Sequence, residues 1–557
     1  VTGLAIGLGL GILLDKLIYL ILLKLIDFKV ALGFYISKGA IIRSLILFFA
    51  IFFLIFLNSI RQIYFSKPIE LLHGGNTGER EPKSKWIVAL IGVLCLGSGY
   101  YISVSINNPV DAIMFFFVAV ILVVIGTYLI FTSGSIVLLK MLRKNKKYYY
   151  KTNHFISVSG MIYRMKQNAV GLGNICILVT MVLVIVSSTL SLWFGIDDMI
   201  DTICHHDIML KTYLSDGTDM YNIVKNEIEL GGYKIKGSES FSSLSMALEL
   251  NKNQLIADEK DVFLYYDDAD KLSSMRYVTV FNLDDYNNLS NLNETLEDNE
   301  ILIHCQNKKN EYKYNDLSLY ENNFKVKEKL NSFPKSALGA TMSFVDNIQI
   351  VVKDKNVLDS LYQYQKNKYS DNAGEIMVYN GFNIDATDDE EITLAQKTNK
   401  ILQENKENSD IIYYNFGSKV EDAGEAHALY GGFLFLGLFL GTLFTIATIL
   451  IIYYKQISEG YDDKDRFEIM QKVGMSRHEI KKTIHSQILT VFFLPLITAG
   501  IHVAFAFPVI TKVLEILRLT NTMVFAISTI STFVIFSIIY SIIYSLTAKT
   551  YYKIVSR

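Results

Sequence analysis

The sequence predicts an α-helical polytopic membrane protein with one large extracellular α+β domain. Of its 557 residues, 51% are hydrophobic and 19% are charged, against roughly 25% charged in an average soluble protein. The mean hydropathy of +0.29 is high for a soluble enzyme and low for a pure helical bundle. Eight long apolar segments and one polar insertion account for this mixture. The composition excludes a disordered chain, and the four cysteines exclude a disulfide-dense secreted module.

Each apolar segment is long enough to cross a bilayer, whose core of about 30 Å needs about 20 helical residues. The segments are Val1 to Leu25, Ala40 to Leu57, Trp86 to Ile106, Val110 to Leu139, Ala169 to Gly195, Gly431 to Tyr454, Ile488 to Val513 and Met523 to Leu546. Asp15 and Lys16 interrupt the first segment, so we expect it to pack against other helices. The alternative, buried helices of a large soluble protein, is disfavoured because the segments hold so few charges.

The charges of the loops predict the orientation of the chain, because cytoplasmic loops carry an excess of Lys and Arg. The segment 140–168 contains no acidic residue and these basic ones: Lys140, Arg143, Lys144, Lys146, Lys147, Lys151, Arg164 and Lys166. We therefore expect it to be a basic cytoplasmic loop. Alternation of the helices then places 58–85, 455–487 and the C-terminus in the cytoplasm, and the insertion 196–430 outside the cell.

The near-neutral overall charge conceals two strongly charged regions. The insertion 196–430 holds 42 acidic and 23 basic residues, a net charge of −19, and the rest of the chain has a net charge of +17. An acidic outer surface attracts cationic peptides and repels anionic phosphates. The alternative is that the acidic residues only keep the domain solvated, and both interpretations stay open. We expect no nucleic-acid partner.

Short apolar runs bounded by turn residues predict six strands in the insertion. They are Asp207 to Tyr213, Val262 to Tyr266, Tyr277 to Leu283, Glu300 to His304, Asn347 to Val352 and Glu375 to Tyr379. Helical patterns follow two of these strands, at 284–292 and 355–366. This order indicates a mixed α+β domain.

No combination of residues predicts catalysis or a metal site. The glycine-rich run 74–78 lacks the Lys-Ser/Thr ending of a phosphate-binding loop. The run His205-His206-Asp207 does not have a metal-ligand spacing. Cys204 and Cys305 both lie outside the membrane segments, so a disulfide between them is allowed, without a spacing signature. We expect a non-enzymatic chain without a bound cofactor, driven by a partner or by an ion gradient.

The segment 464–484 predicts a short cytoplasmic helix that turns sharply into the seventh membrane segment. An apolar stripe recurs every three residues, at Phe467, Met470 and Val473. Gly474 follows at a natural helix end, and Ser476 and Glu479 have the spacing of a capping box. We call the segment 464–484 the elbow. A force applied to the elbow would reach the membrane helix, as expected of a docking site for a cytosolic motor protein. The alternative is an amphipathic helix that rests on lipid headgroups.

The same residues resemble a known family. The run 467–476 is similar to the cytoplasmic motif of the FtsX-like ABC transporter permeases. The run 161–174, entering the fifth segment, resembles the bacitracin- and lantibiotic-resistance permeases of the BceB type within that family. The runs 67–72 and 78–83 fit the same group. The resemblance covers essentially the whole chain, although no motif is recognisable in the outer domain.

The resemblance implies ten membrane helices, with a large extracellular domain between the seventh and the eighth. Five helices precede the insertion here and three follow, so it implies that two helices are missing before Val1. Residues 1–57 would end a first FtsX-like membrane module, and 86–139 would be a two-helix middle segment. Residues 431–557 would form the second module, with its coupling helix at 464–484.

The resemblance also implies a function. Such permeases lie in the plasma membrane of Gram-positive bacteria and pair with a cytosolic ABC ATPase, typically two copies, which binds ATP and Mg²⁺. They protect the cell-wall precursor cycle from cationic peptide antibiotics such as bacitracin, by ATP-driven freeing of the lipid target from the peptide. Many also contact a sensor histidine kinase. The implied docking residues are Phe467, Met470, Val473, Gly474 and Met475.

Two other functions use a related architecture. One is signalling or cell division, in which the permease activates an extracellular hydrolase, and the other is export of lipoproteins or macrolides. The middle helices at 86–139 and the long basic loop favour the antibiotic-resistance type, since the cell-division type has only four helices.

The basic loop has two interpretations of its own. Basic residues beside a membrane attract anionic lipids, at about 1 kcal/mol each near the surface. They could therefore contact lipid or a partner such as the kinase, or they could only set the topology. The residues in question are Lys140, Arg143, Lys144, Lys146 and Lys147.

Overall fold

Long helices and a single mixed sheet make up the described part of the protein. The computed structural model describes residues 2–25, 37–65, 85–106, 109–150, 152–213, 218–256, 275–306, 312–340, 346–370, 373–406, 413–472 and 477–555. Within these ranges, eight helices are long and apolar enough to cross a membrane. They coincide with the eight segments that the sequence predicts, so the polytopic membrane fold is confirmed.

Five membrane-crossing stretches precede the sheet. The helices are α1 (Thr2–Leu25), α2 (Lys38–Phe65), α3 (Trp86–Ser105), α4 (Pro109–Leu129), α5 (Ser135–Lys144), α6 (Lys146–Tyr149) and α7 (Thr152–Phe194). A π-helical turn, Ile130–Gly134, joins α4 to α5 within one crossing. In this turn Thr132 Oγ1 donates to the Tyr128 carbonyl at 2.7 Å. A backbone acceptor is thereby satisfied where no water is present.

The first crossing contacts the long helix Lys419–Lys472, so it packs against another helix as Asp15 and Lys16 predict, but only lightly. Leu23 is the one buried residue of the described part of α1. Asp15 lines an open groove between α1 and α2, together with Gly3, Gly7 and Gly11. These glycines present no side chain, and no atom lies within 4 Å of where their Cβ atoms would be, so this face makes little contact.

The basic segment 140–168 is mostly helical rather than an open loop. Its first residues belong to α5, and α6 follows after Asn145, which has an extended backbone. The helix α7 then begins at Thr152, well before the predicted membrane segment. Val158, Ile162 and Met165 are buried at helical spacing. This amphipathic pattern extends α7 beyond the part that is apolar all round.

Residues 196–418 form a domain of ten strands and six helices in its described part, which we call the large domain. Its helices are α8 (Ile196–Ile203), α9 (Thr218–Leu230), α10 (Leu283–Ser290), α11 (Lys335–Ala340), α12 (Lys355–Tyr369) and α13 (Asp388–Lys406). Its strands are β1 (Ile208–Tyr213), β2 (Ile235–Asn251), β3 (Gln254–Ile256), β4 (Met275–Asn282), β5 (Glu300–Cys305), β6 (Asp316–Leu319), β7 (Asn322–Leu330), β8 (Asn347–Val352), β9 (Ile376–Ile384) and β10 (Tyr413–Ser418). The predicted α+β class is confirmed.

The described strands form one sheet in the order β10-β1-β9-β2-β3-β6-β7-β5-β8-β4. A further pairing joins β2 to β4, so the seven strands from β2 to β4 close into a ring, and β9, β1 and β10 extend from it. The length of β2 permits this, because its first half pairs with β9 and its second half with β4, both antiparallel. The pairs β4–β8 and β5–β7 are parallel.

Five of the six predicted strands are present, as β1, β4, β5, β8 and β9. The sixth, 262–266, lies outside the described residues. The two predicted helices are also present, as α10 and α12. Their first turns are capped by side chains, since Asn282 Oδ1 accepts the Asp285 N–H at 2.8 Å and Asp354 Oδ1 accepts the Val357 N–H at 3.0 Å.

Three long helices complete the chain: α14 (Lys419–Lys472), α15 (Arg477–Ile516) and α16 (Thr522–Val555). The helix α14 begins directly after β10, so the large domain ends at Ser418 rather than at Tyr430. Ser418 Oγ accepts the Glu421 N–H at 3.1 Å, and the Glu391 carboxylate accepts the Val420 N–H at 3.1 Å. These bonds satisfy the first free donors of the helix and fix its start.

One apolar core connects the membrane helices to the large domain. Its buried members come from the domain end of the bundle and from the sheet, and include Leu192, Phe241, Tyr430, Leu514 and Phe525. A separate core lies deeper in the bundle, between α7, α14, α15 and α16. Because packed interiors resist local deformation, we expect a shift of the membrane helices at this core to displace the large domain instead of being absorbed locally.

Candidate functional site

The elbow predicted at 464–484 lies at the end of the bundle opposite the large domain. The helix α14 runs without interruption from the domain to Lys472, about 80 Å at 1.5 Å per residue, and α15 returns from Arg477. Two helix ends therefore flank the predicted turn. The residues predicted at the turn itself lie outside the described residues: Val473, Gly474, Met475 and Ser476.

The segment 464–472 is not the separate short helix that the sequence analysis expected, because it forms the last turns of α14. No proline separates it from the membrane-crossing part, so nothing ends the helix there. Phe467 and Met470 lie on this helical backbone, and Glu479 lies in the first turn of α15. Two long helices, α14 and α15, therefore contribute the described part of the elbow.

The end of α14 also presents an apolar residue that the sequence analysis did not select. The Ile469 side chain is 60% exposed. Beside it, Lys472 Nζ lies 2.9 Å from Glu468 Oε1, and this hydrogen bond lowers the pKa of the Glu468 carboxyl. Such a pair one turn apart supports the last turn of the helix. Ile469 is therefore a docking candidate in addition to Phe467 and Met470. The three-residue spacing of apolar residues in the sequence does not reveal that its side chain is exposed.

The five selected basic residues divide into two groups. Lys144, Lys146 and Lys147 are exposed, whereas Lys140 and Arg143 are half-buried and interact with neighbouring groups. The exposed apolar side chains Leu138 and Met141 lie on α5 beside them. A helix with exposed apolar and basic side chains at the edge of a bundle is typical of contact with lipid headgroups.

The short helix α8 forms a neck between the bundle and the large domain, and we call it the neck. Lys419 Nζ donates to Asp201 at 2.6 Å, which ties the neck to the start of α14. The helix α11 packs against the same end of the neck. It approaches so closely at Gly339 that a Cβ atom there would lie 2.2 Å from the Thr202 carbonyl oxygen. The neck is thus held by both parts of the protein.

In the run His205-His206-Asp207, the last two residues belong to a hydrogen-bond network at the base of the large domain, whereas His205 Nδ1 is buried without a hydrogen-bond partner among the described residues. His206 Nδ1 lies 2.9 Å from Tyr379 Oη, and its Nε2 lies 3.6 Å from Glu239 Oε2. Asp207 accepts a backbone N–H of β9 at 2.9 Å. Within the described ranges, no three His, Cys, Asp or Glu side chains are placed to hold a metal ion.

We expect the large domain to lose stability as the pH falls from 7 to 5. Burial lowers the pKa of His205 and His206 below the ordinary value of 6.5. Both imidazoles are therefore neutral in the folded state, and the stability that this gives is present above about pH 6.5 and is lost as the pH falls. The midpoint of thermal unfolding should drop less in a His205→Gln, His206→Gln variant. An equal drop in the variant and the wild type would contradict this.

Cys204 and Cys305 do not form the disulfide that the sequence allows. Cys204 is fully buried in the core beside the neck, and its thiol donates to the Asp422 carboxylate at 3.2 Å. Cys305 lies on β5 and packs against a different core of the large domain. Burial, with the negative charge of Asp422, raises the pKa of the Cys204 thiol to about 12.

Cys204 should resist modification by a maleimide at pH 7.4 in native membranes, because the thiolate is the reactive form and is scarcely present. A Cys204→Ser variant should take up as much label as the wild type under native conditions, and one label fewer in SDS. Mass spectrometry of the labelled protein measures both values. Rapid native labelling of Cys204 would contradict the burial.

A buried histidine joins the two-helix middle segment to α15. His502 is 3% exposed, and its ring nitrogens lie 2.6 Å from Tyr100 Oη and 3.0 Å from Thr127 Oγ1. Thr127 donates its own proton to the Val123 carbonyl. It therefore accepts from Nε2–H, which leaves Nδ1 to accept from Tyr100. This bridge fixes α3 and α4 to α15.

Eight membrane-crossing helices in the described ranges and an inserted sheet domain define a polytopic membrane protein. The chain is 23% identical to the "Bacitracin export permease protein BceB" of Bacillus subtilis (strain 168), over 90% of its own length and 75% of that protein. It is 23% identical to the "Uncharacterized ABC transporter permease YvcS" (92% and 76%) and 22% identical to the "ABC transporter permease protein YxdM" (91% and 75%) of the same organism. No protein-family model matches the chain. The three similarities support a BceB-type ABC transporter permease.

Proposed function

We propose that the chain is the membrane subunit of an ABC transporter that protects a Gram-positive cell from peptide antibiotics directed at cell-wall synthesis, such as bacitracin. The observation that supports this most is the similarity along about nine-tenths of the chain to a bacitracin export permease and to two other ABC transporter permeases. In this proposal the large domain lies outside the cell, and the elbow and the C-terminus lie in the cytoplasm.

ATP hydrolysis belongs to a partner in this proposal. The permease homologues imply an ATPase subunit, and we propose that two copies of it bind ATP and Mg²⁺ while this chain binds neither. The ATPase docks at the end of α14, where Phe467, Ile469 and Met470 precede the turn at 473–476. The exposure of Ile469 supports this position, since interface cores favour large apolar side chains.

The large domain is proposed to receive the cationic peptide or its complex with the lipid target. The segment 196–430 has a net charge of −19, which attracts a cationic peptide and accelerates the encounter. A shift of the domain, driven by ATP hydrolysis at the elbow, would then free the lipid target from the peptide. The exposed basic residues Lys144, Lys146 and Lys147 are proposed to contact anionic lipid or a sensor histidine kinase.

Deletion of the gene should lower the minimal inhibitory concentration of bacitracin or of a lantibiotic severalfold, and a plasmid copy should restore it. The comparison uses the deletion strain, the complemented strain and the parent, with a cell-wall inhibitor that is not a peptide as the control. Unchanged sensitivity to these peptides together with altered cell separation would overturn the proposal in favour of a cell-division role.

A further inference from the structure

Three charged residues of α14 lead from the elbow into the bundle. Lys455, Glu459 and Asp463 follow each other at four-residue intervals, so they lie on one face of the helix. We call them the charged stripe. They directly precede the elbow at 464–484. Charged side chains between membrane helices are costly unless they are paired, so the partners of the stripe show which helices this face of α14 holds.

The first two residues of the charged stripe bind α7. Lys455 Nζ donates to the Asn168 carbonyl at 2.8 Å, and the Asn168 side-chain amide donates to the Glu459 carboxylate. Asn168 is itself buried. The helix α7 approaches so closely that a Cβ atom at Gly171 would lie 2.8 Å from Lys455 Nζ. Two successive turns of α14 therefore hold one residue of α7.

The third residue of the charged stripe binds α16. Tyr551 Oη donates to the Asp463 carboxylate at 2.6 Å, and both side chains are buried. A hydrogen bond between a buried hydroxyl and a carboxylate is stronger than one between neutral groups. The stripe thus connects the docking end of α14 to two other helices of the bundle.

A small cavity with a mostly apolar lining lies beside the stripe, where α7, α14, α15 and α16 meet. Its volume is about 30 Å³, and Lys455, Gln456 and Glu459 line it together with Phe492 and Tyr540. Gln456 Oε1 is buried and has no hydrogen-bond donor among the described residues. Unsatisfied buried acceptors are rare because they are costly. The junction therefore has both room and a polar group that a shift of α14 could satisfy.

We propose that the charged stripe transmits movement of the elbow to α7 and α16, and through α7 to the neck and the large domain. The inference rests on the proposed function in one respect, since it takes the elbow as the site where the ATPase docks. The connection from α7 to the neck is direct, because α7 ends at Phe194 and the neck begins at Ile196. Lys455, Glu459 and Asp463 are positioning residues, because they touch neither ATP nor the peptide.

The test measures a distance across the complex of this chain with its ATPase in lipid nanodiscs. Spin labels at Leu230→Cys on the large domain and Met523→Cys at the start of α16 report the movement, and both native side chains are exposed. The partly exposed Cys95 and Cys305 are replaced by Ser. Pulsed electron paramagnetic resonance gives the label distance before and after trapping with ATP and vanadate.

We expect trapping to change this distance in the otherwise native chain. In Lys455→Met and in Tyr551→Phe the change should fall to less than half, while the same amount of ATPase co-purifies. Tyr454→Phe is the matched control, since it removes the hydroxyl of an exposed tyrosine next to the stripe, and it should behave as the wild type.

Three results would overturn the inference. One is a distance change in both stripe variants equal to that of Tyr454→Phe. Another is loss of the ATPase from the stripe variants, which would make the stripe part of the docking site. The third is the absence of any distance change in the native chain. The measurement needs no peptide, so a chain that gives no bacitracin resistance but shows stripe-dependent movement would sink the antibiotic role and keep the inference.

Discussion

Met470→Asp should abolish co-purification of the ATPase while leaving membrane insertion of the chain intact. Met470 lies on the last turns of α14, three residues after Phe467 and next to the exposed Ile469. A carboxylate at this position would have to be dehydrated against an apolar partner surface, at a cost of several kcal/mol. A loss of more than 2 kcal/mol corresponds to a roughly thirtyfold weaker complex. Bacitracin sensitivity should then equal that of the deletion strain.

Gln471→Asp is the matched control for this experiment. It introduces the same charge one residue later on the same helix, about 100° away around the helix axis, and should leave the complex intact. Ile469→Asp should weaken the complex, because the exposed isoleucine is an independent docking candidate. Pull-down through a tag on this chain, with quantification of the ATPase, measures all three variants. Retention of the ATPase by Met470→Asp at the wild-type level would contradict docking at the end of α14.

The membrane helices could be predicted because each one depends on a local property, the hydropathy of about 20 successive residues. The ends of the helices could not be predicted in the same way. The helices α7 and α14 begin well before their apolar parts. Their first residues, at 152–168 and 419–430, are amphipathic, so hydropathy does not indicate that they are helical. Residues such as Ile162 and Glu391 define those ends through tertiary contacts that hydropathy does not report.

The strands of the sheet could likewise be predicted only where the local sequence is distinctive. The strands β4, β5 and β8 are short apolar runs and could be predicted, whereas the first half of β2 contains Gly237, Ser238 and Glu239, residues of low strand propensity. Pairing with β9 and β4 imposes the extended conformation there. In the candidate site, spacing locates the elbow. The charged stripe could not be predicted, because its partners Asn168 and Tyr551 are distant in sequence.

Gly339→Ala should disturb the contact between the large domain and the neck although it adds only one methyl group. The added Cβ atom would lie 2.2 Å from the Thr202 carbonyl oxygen and 3.2 Å from that of Ile203. These are backbone atoms at the end of α8, which cannot rotate away as a side chain would. Either α11 or the neck must move, at a cost of about 1–3 kcal/mol for overpacking. At about 2–4 °C per kcal/mol for a domain of this size, the midpoint of thermal unfolding should fall by on the order of 5 °C.

Gly424→Ala separates this steric effect from the general effect of alanine in a helix. Gly424 also lies within a helix, but no atom lies within 4 Å of its added Cβ. Alanine stabilises a helix by about 1 kcal/mol relative to glycine, so this control should keep or raise the midpoint. If the neck carries movement to the large domain, Gly339→Ala should also reduce resistance without releasing the ATPase, since the elbow lies at the opposite end of the bundle. Gly339→Ala could instead give the same unfolding midpoint and the same resistance as Gly424→Ala. This result would show that the neck tolerates displacement. The large domain would then move by another route, through the core that Tyr430 and Leu514 share with the sheet.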